Sequence, residues 1–120
     1  MRMWMIDPRL MCRKHLLGEH SELHKHRPSF VKHYRIDGRM NPVVQIEPSS
    51  MGDRHTVLVS EMLRRGYRHD SPYTMPDISY LPEDYRKARV DMNESVRSLS
   101  DRCDECRCRI EEFVGGSNEN

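Results

Sequence analysis

The apolar positions of this chain recur at helical spacing in separate stretches, and no segment sustains a period-two alternation. Asp7-Pro8 reads as an N-cap followed by proline at the first helical position. Beyond it, Leu10, Cys12, Leu16, Leu17 and Leu23 project onto one broad face, with His20 inside that face. The pattern predicts a helix running to about Lys25 and stopping before Pro28. Ser29 to Arg35 reads as a second, short helix with Phe30, Val31 and Tyr34 on its apolar side and Gly38 at its end. Residues 41–52, with two prolines, two serines and a glycine, read as loop. Asp53 caps a helix through Arg65, with Val57, Leu58 and Met62 inward and Gly66 as the stop. A connection carrying Pro72 and Pro76 leads to a helical turn at Pro82–Arg89. Val96, Leu99, Cys103, Cys106, Ile110 and Phe113 then repeat at 3-4-3-4-3 spacing and predict one last helix, ended by Gly115-Gly116. The expected architecture is all-α, a single domain of about three main helices over residues 1–114 with a frayed tail at 115–120.

The first helix has a second grouping that the core does not explain. Met11, His15, Gly18 and Glu22 project together on the side away from the leucines. A glycine inside a helix costs about 1 kcal/mol against alanine. It is easiest to understand where something must approach the backbone closely. The short arm Met1-Arg2-Met3-Trp4-Met5-Ile6 enters this helix directly, which puts an α-amine within reach of a histidine and a carboxylate. From the residues alone, the favoured reading of Glu22 is an ordinary exposed helix carboxylate with His15 as a neighbour two turns earlier.

Composition narrows the class. The 120 residues suffice for one core. Hydrophobic content of 36% and a mean hydropathy of −0.87 make that core thin and the surface heavily charged. Scarce aromatics and nine methionines suit a helical domain better than a sandwich or barrel. The net charge is +1, but residues 1–40 carry nine Lys/Arg against four Asp/Glu (+5), and residues 100–120 carry three Arg against six Asp/Glu (−3). A basic N-terminal half is compatible with a polyanion, although a solvated charged face has the same signature. No apolar run reaches a membrane span and the start lacks a signal-peptide core, so no membrane is expected. The expected location is the cytosol, with reduced thiols.

Cys103-Asp-Glu-Cys106-Arg-Cys108 looks like half a zinc site, and Cys12 with a histidine would have to supply the other half. Cys103 and Cys106 also sit in the apolar stripe of the last helix, where cysteine packs as a small hydrophobe. Packing is the preferred reading, so neither a metal ligand nor a cofactor is assigned. His20 is expected as a satisfied core histidine. His24, His26 and His33, beside Lys25, Arg27, Lys32 and Arg35, read either as a phosphate-facing run or as solvated surface. No glycine-rich loop follows a strand, and no Ser/His/Asp arrangement can be picked out.

Several short pieces, in order, carry a resemblance. They are Arg2, His15-Leu16 with Glu19 and Glu22-Leu23, Val57 through Gly66-Tyr67 with Glu61-Met62-Leu63-Arg64-Arg65-Gly66 at its centre, and Asp77-Ile78-Ser79 before Leu81-Pro82. Over residues 1–95 the chain resembles the small pyrimidine-dimer DNA glycosylase/AP lyases of the phage endonuclease V type. The resemblance implies an all-α fold, an N-terminal α-amine as nucleophile on the sugar carbon of a damaged nucleotide, and a helix-borne glutamate as the essential carboxylate. Carried over by position, the glutamate is Glu22 and the flanking arginine is Arg2. Met1 itself falls at the position of the attacking amine. The arm is one residue shorter than in the phage member, whose initiator methionine is removed to expose a threonine. Arginine at position 2 agrees with a retained methionine.

The resemblance also has departures. An arginine before the family's glutamate is Ser21 here, and a later one is Lys25, which leaves phosphate contacts to Lys25, Arg27 or Arg13, with Arg2, His15 and Ser21 as the other expected DNA contacts. The aromatic C-terminus of the phage member is replaced by the Cys103–Cys108 segment and an acidic tail, and a loop before residue 55 is shorter. The implied partner is double-stranded DNA with damaged bases, bound by a monomer. The implied activity is excision of cyclobutane pyrimidine dimers through an imine, followed by β-elimination. The same fold acting on another modified base, a non-catalytic DNA- or protein-binding module, and a small zinc-binding adaptor are the competing readings.

Overall fold

A computed structural model describes residues 1–118 and is all-helical. Five α-helices follow in order: α1 (Arg13–Val31), α2 (Met51–Arg64), α3 (Glu83–Arg86), α4 (Met92–Arg102) and α5 (Asp104–Asn118). Among the described residues there is no strand. Among the described residues no helix is long and apolar enough to cross a membrane.

The beginning of the chain is tied down before the first helix starts. Asp7 caps a single 3-10 turn, Pro8–Leu10, and Cys12 rather than Asp7 caps α1, its Sγ accepting the His15 N–H. Met11 therefore lies in the link between turn and helix, not on the outer helix face, and it is fully buried. The arm is pinned on one side by the Met3 N–H donating to the Gln45 carbonyl at 2.8 Å. Arg65 fixes the turn, donating to the carbonyls of Pro8 and Met11 at 3.1 and 2.7 Å while Glu61 accepts from its Nε at 2.7 Å. The Glu61–Gly66 segment is thus a structural clasp on the arm. Gly66 ends α2 with φ +83°, a conformation that glycine adopts without a Cβ penalty.

Three predicted boundaries move. α1 runs through Pro28 to Val31, so Ser29–Arg35 is not a separate helix. Pro28 forgoes one backbone bond and crowds the preceding turn, but Phe30, 1% exposed, anchors the last turn in the core. Val31 and Tyr34, expected inward, are exposed, and so is Val57 on α2. Second, α2 starts at Met51, two residues before Asp53, because Met51 is itself a fully buried core residue. Third, the last helix is two helices. Cys103 adopts an extended conformation (φ −140°, ψ 109°) between α4 and α5, which keeps Leu99 and Cys106 buried but leaves Phe113 46% exposed. α5 continues through Gly115-Gly116, since glycine weakens a helix by about 1 kcal/mol without forbidding it. The final two residues of the predicted tail lie outside the described residues.

The core gathers Met3, Trp4 and Ile6 of the arm with Leu16 and Leu23 of α1, Met51 and Leu58 of α2, and Leu99 and Cys106 of the C-terminal pair. The arm is therefore an internal layer between α1 and the rest. Its backbone end is carried to the outer face of α1.

Candidate active site

That outer face opens into a cleft of about 470 Å³, lined by Met1, Arg2, Trp4, Lys14, His15, Gly18, Glu22, Arg39 and Arg102 among others. One helix spacing places His15, Gly18 and Glu22 along the floor, as the pattern of polar positions predicts. The arm supplies the facing wall. The Met1 amine stands 3.7 Å from Glu22 Oε2, and the same oxygen accepts the Arg2 N–H at 2.9 Å. Glu22 is thereby oriented by backbone, while its carboxylate stays partly open to solvent.

What keeps the arm at this height is a buried ion pair one turn away. Glu19 accepts the Trp4 N–H at 3.2 Å and the Arg54 guanidinium at 2.6 and 3.0 Å. Arg54 spends a third donor on the Ile6 carbonyl at 2.7 Å. Both side chains are almost fully shielded from water. Burial at this depth is tolerated because nearly every donor and acceptor is matched. Sequence reasoning named Glu19 only as part of a motif and missed Arg54, whose partner lies 35 positions away.

The electrostatics ease deprotonation of the amine. Burial lowers the pKa of the Met1 amine from its ordinary 8.0, Glu22 pulls it back up, and the nearby Arg39 and Lys25 lower it again. The rim is cationic: Arg2 and Arg102 lie over the Trp4 ring at 4.1 and 5.5 Å, with Lys14 and Arg39 beside them. Lys14, Arg39, Arg102 and Trp4 went unassigned at the sequence level. Only the basic excess of residues 1–40 signalled some of them.

Other predicted contact residues are dispersed. Ser21 and Lys25 are exposed and do not line the cleft, although Lys25 acts on the amine through its charge. Arg13 is exposed with its guanidinium over the Tyr67 ring at 4.9 Å. Arg27 donates to the Thr74 carbonyl at 2.5 Å and so tethers the connection after α2.

Gly18 is exposed on the cleft floor, and a Cβ there would meet no protein atom within 4 Å. The glycine is not required by internal packing. Gly18→Ala is expected to raise unfolding stability by about 1 kcal/mol in denaturant titration, while weakening binding of duplex DNA to the narrowed floor. Unchanged or tighter DNA binding would show that nothing approaches this backbone.

Two side-chain clusters stand out, one that the sequence reading did not raise and one that it raised and set aside in favour of packing. His20, His24, His55 and His69 bring one ring nitrogen each within 4.8 Å of one another. Here His24 and His55 pair at 3.0 Å, and burial followed by the neighbouring histidines lowers His20 and His55 to about 4. His20 Nε2 is buried without a partner, so His20 is not the satisfied core histidine that its position in the apolar arc predicts. His33 stacks on Tyr80 instead of joining a basic run with His24. Cys12, His15, Cys103 and Cys106 form the second cluster with the same closeness. Both have the donor types that hold transition metals.

The N-terminal amine thus faces a carboxylate inside a cleft whose cationic rim suits a polyanion. The chain belongs to the pyrimidine dimer DNA glycosylase family, whose sequence pattern matches residues 1–75. No curated protein and no solved structure matches it. The family stretch contains the arm, α1, α2 and the Glu19–Arg54 pair; α3, α4 and α5 lie beyond it.

Proposed function

We propose that this glycosylase is bifunctional, with the Met1 amine as nucleophile, Glu22 as its partner carboxylate and cyclobutane pyrimidine dimers in duplex DNA as substrate. The observation that carries the reading is the amine 3.7 Å from Glu22 Oε2 in an open cleft. The neutral amine attacks C1′ of the damaged nucleotide, the base departs with the glycosidic electron pair, and loss of the amine proton with ring opening gives an imine. Protonated, that imine is an electron sink. Removal of a C2′ proton then expels the 3′ phosphate by β-elimination. Glu22 stabilises the cationic imine and serves as the base for C2′. Arg2, Lys14, Arg39 and Arg102 offer the phosphate contacts, with His15, Arg13, Lys25, Ser21 and Arg27 as further contacts along the duplex. A damaged step is already poorly stacked, so distorting it costs less than distorting intact DNA.

Borohydride trapping on duplex DNA with an abasic site tests the nucleophile. A covalent adduct mapping to the Met1 nitrogen is expected, and one added residue ahead of Met1 is expected to abolish it while circular dichroism stays unchanged. Duplex binding without any adduct would overturn the lyase chemistry. The pH profile adds a second check. Only the unprotonated amine attacks, and its pKa lies below 8.0, so the single-turnover rate should rise with pH and level off with a midpoint below 8. A midpoint above 8 would mean that Glu22 outweighs burial. Ultraviolet-irradiated against untreated duplex then tests the dimer assignment.

A further inference from the structure

Cysteine and histidine side chains at the start of α1 and at the α4–α5 break gather their donor atoms within 4.8 Å of one another beside the cleft. From their geometry we infer that Cys12, His15, Cys103 and Cys106 bind one structural zinc ion that clamps the C-terminal helix pair onto the family domain. Zinc with Zn–S of about 2.3 Å and Zn–N of about 2.0–2.1 Å sets tetrahedral edges of about 3.8 Å for S···S and about 3.6 Å for S···N. Cys12 Sγ lies 3.8 Å from Cys103 Sγ, and Cys106 Sγ lies 3.6 Å from His15 Nδ1. The Cys12 Sγ to His15 Nδ1 edge, at 3.2 Å, is the only short one of the three, and all four donor atoms fall within 4.8 Å of one another.

The local sequence is built for this. Each half is a ligand-x₂-ligand pair at the N-terminal end of a helix: Cys12 and His15 on α1, Cys103 and Cys106 on α5. Backbone amides point at the sulfurs: the His15 N–H donates to Cys12, the Cys106 N–H to Cys103, and the Cys12 N–H to Cys106, at 3.3–3.4 Å. Such N–H···S bonds stabilise thiolates and fix ligand orientation. Three thiolates and Zn²⁺ sum to one negative charge, which the nearby Lys14 and Arg102 offset. The extended backbone of Cys103, which breaks the predicted last helix, is what turns its sulfur into the array. With four protein ligands the site has no open position, so its role is structural. Its neighbour in sequence, Arg102, lies on the cleft rim, so the clamp fixes a cation at the DNA-facing edge.

The test uses untagged protein isolated without chelator. Elemental analysis is expected to find at least one zinc per chain that Cys103→Ser loses. Cys108→Ser, at an exposed cysteine outside the array, keeps it, as does the His24→Ala/His55→Ala pair. On the unaltered chain, native alkylation should label Cys108 alone, and a chelator should expose Cys12, Cys103 and Cys106 together. Cobalt substitution should give sulfur-to-cobalt charge-transfer absorption. A chain that takes up no zinc when it is supplied overturns the inference. So does zinc retained in Cys103→Ser but lost with the histidines, native labelling indifferent to chelator, or a Cys12–Cys103 disulfide in the fresh protein.

Discussion

Glu22→Gln is expected to lower the single-turnover rate of strand cleavage at an abasic site by about 10²–10⁴-fold, with fold and DNA affinity retained. The glutamine amide oxygen can still accept the Arg2 N–H, so the backbone contact that positions residue 22 survives. What disappears is the charge. Without it the protonated imine loses its counterion and C2′ loses its base, while the amine, relieved of the one neighbour that raises its pKa, becomes neutral more readily. Nucleophilic attack and proton removal are therefore pushed in opposite directions. The outcome to look for is an adduct that still forms under borohydride but a strand that is no longer cut. Duplex binding should be unchanged or slightly tighter, because a negative charge has left a cationic cleft. Cleavage within a factor of ten of the parent would remove Glu22 from the chemistry and leave it as a positioning group.

The face to which the proposed chemistry is assigned was legible in the sequence because it is local. His15, Gly18 and Glu22 are spaced by helix turns, and helical projection needs no knowledge of the partner elements. The all-α class was legible for the same reason. The features that stayed hidden are long-range. Glu19 reads as one more charged helix position until Arg54 arrives from α2, and the sequence raises Cys12 as a partner of Cys103 and Cys106 without being able to say which histidine joins them. The last helix misled because its 3-4 repeat is real on both sides of Cys103. Periodicity cannot see a single extended residue that returns Cys106 to the core but turns Phe113 out of it. Pro28 misled in the other direction, since local preference put a stop where Phe30 packing carries the helix on.

Arg54→Met is expected to destabilise the protein by about 3–5 kcal/mol, a large part of the 5–15 kcal/mol typical of a domain. Methionine fills much of the volume, so a cavity is not the main cause. Glu19 would be left as a buried carboxylate with only the Trp4 N–H donating to it, and the Ile6 carbonyl would lose its donor. Denaturant titration should show the lower midpoint directly. The double variant Glu19→Leu/Arg54→Met removes the orphaned charge and should regain most of that loss, because an apolar pair of similar volume often matches a buried ion pair. Function should not follow stability. The double variant lacks both the Trp4 and the Ile6 anchors, so the arm loses the height that brings the Met1 amine to Glu22. Trapping yield should stay low in a protein that melts near the parent temperature. If trapping recovers together with stability, the pair serves the core alone, and the Gln45 and Arg65 contacts suffice to place the amine.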